Sequence, residues 1–225
     1  MAEFFKGSQA GSCGSFALWA RPFLKIVVLG VGSLLAVSCL APAFAHHAFD
    51  GEIPQVWWQG LLSGLAHPVI GLDHLAFIVA IGLISAGQNW RYGIPLGFVL
   101  AALGGTAIHM VGIDLWLTEL GIASSVVIFG LLLVQARQVQ GWLLLLFGSL
   151  AGLFHGYAYA EAIIGAGLMP LLSYLIGFTA IQYGIALLSV WVAETLGSRF
   201  PGLRRWAGWG ITVVGSVFLT LAVVS

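Results

Sequence analysis

From residue 70 onward the chain is divided into six apolar stretches, running roughly 70–88, 93–112, 118–135, 141–158, 169–194 and 206–224. Each is about long enough to cross a hydrocarbon layer of ~30 Å, some with the help of their flanks. Of the 225 residues, 60% are hydrophobic and only 7% charged, against roughly 25% charged in soluble domains. So few charges cannot cover a core of this size in water, and lipid must be the solvent for most of the surface. The 31 glycines and the mean hydropathy of +1.04 point the same way, since glycine is commoner in membrane helices than in soluble ones. The expected fold is an all-α integral membrane protein of about six mature transmembrane helices. Residues 56–66 form a further apolar piece, too short to span. The sequence predicts a broken or re-entrant segment near residues 56–74, either an interfacial half-helix or the outer part of a first helix broken at Pro68.

Ahead of these stretches, Arg21 and Lys25 precede the apolar run Ile26 to Leu40, and Ala43-Phe44-Ala45 follows. The order basic, apolar, small-x-small is that of a secretory signal peptide. The expected organisation is a signal peptide over 1–45, a short extracytoplasmic segment over 46–55 and a helical transmembrane domain over 56–225. Retention as an uncleaved anchor and lipidation at Cys39 are the alternatives, and all three place His46 outside the cytoplasm. Both cysteines, Cys13 and Cys39, fall in the leader. Cleavage therefore leaves no thiol for a disulfide or a thiolate metal site.

Charge in the loops sets the orientation. Arg91, Arg137 and the group Arg199, Arg204 and Arg205 follow spans one, three and five. The other loops carry Asp114, Glu119 and Glu161 without Lys or Arg. The positive-inside rule makes the basic side cytoplasmic, so the mature N- and C-termini are both expected outside, in agreement with the signal peptide. Trp57, Trp58, Trp90, Trp116, Trp142, Trp191, Trp206 and Trp209 lie near span ends as an interfacial belt. Gly148, Gly152 and Gly156 recur every four residues on span four, a spacing that lets helices approach closely. Small-residue faces of this kind also offer a route to an oligomer. A net charge of zero gives no reason to expect a nucleic-acid partner.

On this topology all six histidines map to the extracytoplasmic half. His46 and His47 stand at the mature N-terminus, His67 and His74 in the outer part of span one, and His109 and His155 toward the outer ends of spans two and four. Asp73 adjoins His74, and Glu161 follows His155 by six residues. Ionisable groups at membrane depth are costly and face a cavity or a partner. Imidazole with carboxylate is a ligand set for nickel, cobalt or zinc. The candidate metal residues are His67, Asp73, His74, His155, Glu161, His109, His46 and His47. Asp73 is either a direct ligand or an acceptor that fixes an imidazole tautomer. His109 is as readily a hydrogen-bonding partner, and His46 with His47 a loose collecting site or a solvated tail. The densest run is His67-Pro68-Val69-Ile70-Gly71-Leu72-Asp73-His74, where Pro68 and Gly71 invite a helix break of the kind transporters use to bind ions.

That run, His67-Pro68-x-x-Gly71-x-Asp73-His74 after a leader ending in Ala-His, resembles the HupE/UreJ family. The resemblance implies a bacterial nickel or cobalt permease of the cytoplasmic membrane, with His67, Asp73 and His74 in its metal-binding motif. His155 and Glu161 match a second family motif that usually reads H-G-x-A-H-G-x-E. Here Tyr159 stands where that motif has its second histidine, and Ala160 replaces a glycine. The implied function is secondary import of nickel or cobalt, with no permanent cofactor and the bilayer and the ion as partners. No enzyme is expected: Walker A, G-x-S-x-G and H-E-x-x-H patterns are absent. A haem protein using His109 and His155, and a metal-binding accessory protein, are the competing readings.

Overall fold

A computed structural model describes residues 53–135 and 139–224. The leader, the histidines His46 and His47, and the loop residue Arg137 lie outside the described residues. Among the described residues seven α-helices follow one another: α1 (Trp57–Ile70), α2 (Leu72–Ser85), α3 (Gly93–Met110), α4 (Thr118–Gln135), α5 (Gly141–Tyr159), α6 (Leu168–Leu196) and α7 (Leu203–Val224). A single 3-10 turn, Ala160–Ala162, extends α5. Among the described residues there is no strand. The chain is an all-α membrane protein, and α3 to α7 are each long and apolar enough to cross a bilayer.

The first crossing differs from the helix expected over 70–88. It consists of two helices of 14 residues each, bent by 78° where they meet. At 1.5 Å per residue each is about 21 Å long, too short to span alone. The break falls at Gly71 rather than Pro68. Pro68 sits in the last turn of α1, where its missing N–H deletes a single helical bond and the helix continues past it. Gly71 then serves both helices at once. Its N–H donates to the His67 carbonyl, closing α1, and its own carbonyl accepts from the Leu75 N–H, opening α2. Its extended backbone, with ψ near 103°, turns the chain.

Register along α6 shows that the pair forms one broken span. Gly60 lies against the Pro170 carbonyl, Gly64 against that of Tyr174 and Gly82 against that of Ala186. α1 and α2 therefore run beside α6 in order and in its direction. At the far end Arg204 donates to the Ala86 carbonyl at 2.8 Å, and Arg91 pairs with Glu194 at 3.4 Å. The loops after α2 and α6 thus meet at one end of the molecule, and both are basic.

Three helix pairs form the frame: α3 with α5, α4 with α7, and α1 with α6. Glycines bring each pair together. Gly152 and Gly156 press on the Phe98 and Ala102 carbonyls of α3, and Gly208 presses on Gly130 of α4. The small-residue face read on span four is therefore occupied within the same chain, by α3 at Gly152 and Gly156 and by Ile81 of α2 at Gly148. α2 packs against every other helix. From Phe77 to Ser85 nearly all its side chains are buried, so its apolar character on all sides follows from its central position. Outward faces carry Leu100, Phe147, Ile176 and Val213 exposed, and the eight belt tryptophans are exposed near helix ends, as lipid contact requires.

Candidate metal site

The break between α1 and α2 lies inside the bundle, and the polar residues beside it are nearly sealed. His67 is 4% exposed, Asp73 and His74 3%, and His155 0%. The last carbonyls of a helix lack partners within it, and its C-terminus carries partial negative charge. The end of α1 is therefore a favourable neighbour for a cation. Asp73 sits in the first turn of α2 and accepts the His74 N–H at 2.8 Å through Oδ1. A carboxylate at that end also offsets the positive helix terminus.

The decisive contact joins residues 81 apart in sequence. His74 Nδ1 and His155 Nδ1 face one another at 2.8 Å. Two nitrogen lone pairs cannot approach so closely unless a positive species lies between them, either a proton or a metal ion. Ser125 settles which tautomer His155 carries. Its single hydroxyl proton goes to the Ile122 carbonyl at 2.6 Å, so its oxygen accepts from His155 Nε2 at 3.1 Å. His155 is thereby the Nε2–H tautomer, and its Nδ1 lone pair points at His74. Zinc-like Zn–N bonds of about 2.0–2.1 Å in a tetrahedron separate two nitrogens by about 3.3 Å. Opening the pair by roughly half an ångström converts a shared proton into a shared ion.

Further contacts hold this pair. Thr106 on α3 donates to the Gly156 carbonyl at 2.8 Å, and Tyr174 on α6 donates to the Tyr159 carbonyl at 2.8 Å. The end of α5 is thus fastened from two sides. The His67 ring lies 6.2 Å from that of His74, and the Tyr159 ring packs 4.5 Å from His74 and 5.2 Å from His67. On the side of the basic end, Phe77 and Phe98 cover His155 at ring separations of 4.7 and 5.6 Å, and Phe129 stacks behind Phe77 at 4.8 Å. The histidines are closed off from both directions, and two surface grooves, one between Tyr92 and α6 and one along α7, do not reach them.

A family model described as HupE / UreJ protein matches residues 18–218. The chain belongs to the HupE/UreJ family. It is similar to Protein HupE of Rhizobium leguminosarum bv. viciae, with 28% identity over 194 residues, covering 83% of this chain and 95% of that protein. No solved structure matches it.

In this HupE/UreJ chain His67, Asp73, His74 and His155 come together, and the other described candidates lie elsewhere. Glu161 is exposed on the 3-10 turn. A six-residue offset that continued as α-helix would set it about 120° from the face of His155. His109 donates from Nδ1 to the Tyr157 carbonyl at 2.8 Å and stacks on the Tyr157 ring at 4.0 Å, the hydrogen-bonding role weighed for it. Among the described residues no three His, Cys, Asp or Glu side chains stand so as to hold one ion together. In this closed conformation the pair His74–His155 supplies two ligands. Sequence reasoning did not identify Ser125, Thr106 or Tyr174 as site neighbours, nor Gln182 as a buried polar residue. Gln182 is fully buried and donates to its own helix at Phe178. A polar residue in the middle of an apolar span was the available signal for Ser125 and Gln182.

Proposed function

We propose that this chain is a secondary permease that imports a divalent transition-metal ion, nickel or cobalt, across the bacterial cytoplasmic membrane. The single observation that carries the reading is the His74–His155 nitrogen pair, 2.8 Å apart and buried beside a broken helix. Membership of HupE/UreJ supports the choice of metal, because the resemblance implies nickel or cobalt. Imidazole ligands suit these ions, and discontinuous helices are a recurrent means of holding an ion within a bilayer. The basic end with Arg91 and Arg204 is the cytoplasmic end by the positive-inside rule. An ion enters from the opposite end, loses most of its water at His67 and Asp73, and is held by His74 and His155. It leaves when the Phe77–Phe98–Phe129 layer parts. The ion is cargo, and no permanent cofactor is required. Phe77 and Phe98 pack directly on the His155 ring and leave no slot for a porphyrin, which argues against haem ligation there.

The test is purified full-length protein in liposomes, with entry of nickel and of cobalt followed separately. Saturable entry of either metal, lost in His74→Ala, is the expected result. Tight binding without entry would instead make the chain a metal-binding accessory protein. Neither binding nor entry would remove the metal reading altogether.

A further inference from the structure

Tyr159 lies four residues after His155 on α5, one turn further on and on the same face. Its ring touches both His74 and His67. It is fully buried, and its hydroxyl has no hydrogen-bond partner among the described residues. A phenol hydroxyl stranded in an apolar interior is unfavourable, and a phenylalanine would fill the same space without that burden. Beside two imidazoles at a helix break, the unused oxygen has one evident use.

We propose that the Tyr159 hydroxyl is an oxygen donor to the transported ion, and that it narrows the preference of the site for nickel over cobalt. The inference rests on the permease reading above and deepens it by assigning one more donor and a bias in selectivity. At a given site divalent affinity rises from cobalt to nickel, and imidazole is among the ligands that suit nickel. A phenol oxygen, a harder donor than imidazole, added beside His74 and His155 removes part of that advantage. The closed conformation leaves the hydroxyl unsatisfied, and the ion satisfies it.

Purified full-length protein in detergent, titrated with cobalt and with nickel, tests this using Tyr159→Phe and Tyr159→His. In Tyr159→Phe, cobalt affinity is expected to fall about tenfold, within the range seen when a group supporting a metal is lost. The visible cobalt(II) spectrum is expected to change with it. The metal-free Tm is expected to rise, because the stranded hydroxyl is gone. Opposite signs for metal affinity and metal-free stability are what a packing role cannot produce. In Tyr159→His, the ratio of nickel to cobalt affinity is expected to rise about tenfold. Unchanged affinities and spectrum in Tyr159→Phe overturn the proposal, whatever the Tm does. Failure of the unsubstituted protein to bind either metal overturns the permease reading, and this inference with it.

Discussion

At the scale of single residues, the state of His155 is set by Ser125, which never meets the cargo directly. Ser125→Ala removes the acceptor of the Nε2–H and leaves a buried donor unpaired, a loss of about 1–3 kcal/mol. Metal affinity is expected to fall about tenfold, since such supporting groups orient the ligand ring. A thermal melt and a cobalt titration on the same preparation check both effects, and an unaltered affinity would remove Ser125 from the site. Gly71 offers a second test. A Cβ there would lie 2.6 Å from His74 Cδ2, so Gly71→Ala must displace the imidazole. Uptake is expected to drop at least tenfold while the helices persist by circular dichroism. His67, Asp73, His74 and His155 were legible in the sequence because an ionisable group in an apolar stretch is rare enough to need a reason. Ser125 was not. A membrane serine usually bonds back to its own helix, and Ser125 does so while also accepting from His155, a double role visible only across helices.

At the scale of elements, the position of His155 depends on how closely α5 approaches α3. Gly156 presses directly on the Ala102 carbonyl, and Gly105 on that of Leu153. In Gly156→Ala the added methyl meets backbone that cannot yield, so the helices must separate. A stability loss of about 1–3 kcal/mol is expected, as for an overpacked core, with loss of metal binding because His155 moves away from His74. Gly184→Ala is the matched control. It lies on an exposed face with nothing near its Cβ position, and alanine is the better helix former by about 1 kcal/mol. That variant should melt at the same temperature or higher and bind metal normally. Equal effects of the two substitutions would refute the close-approach argument. The four-residue glycine spacing made the face readable from sequence, but its partner was not. The same spacing serves a neighbour in the chain or a second copy equally well. The helix break was likewise expected near the correct place, with both Pro68 and Gly71 offered for it, and the structure puts it at Gly71. Proline is a strong breaker in mid-helix and a mild one in a final turn, and nothing local told which applied.

At the scale of the whole molecule, one buried helix is enclosed by the six other described helices, and the site sits at the end of that helix where the broken span bends. His74 is 12 residues from Ala86, or about 18 Å along the α2 axis at 1.5 Å per residue. Against a hydrocarbon layer of ~30 Å, an ion held there still has more than half the thickness to cross before the basic end. The membrane potential therefore acts on a large part of its path. Moving one charge through 100 mV is worth about 2.3 kcal/mol, so a divalent ion carried without a counter-ion gains about 4.6 kcal/mol. At tenfold per 1.4 kcal/mol, that supports an accumulation of about 2,000-fold. Liposomes holding an inside-negative potassium diffusion potential of about 100 mV should concentrate the ion toward that ratio, and should show no accumulation when the potential is collapsed. Phe77→Ala bears on the same point, since it thins the layer that holds the ion back. It should raise passive efflux once the potential is removed. Accumulation that ignores the potential and follows a proton gradient instead would make the carrier an exchanger, with the charge of the ion balanced in each cycle.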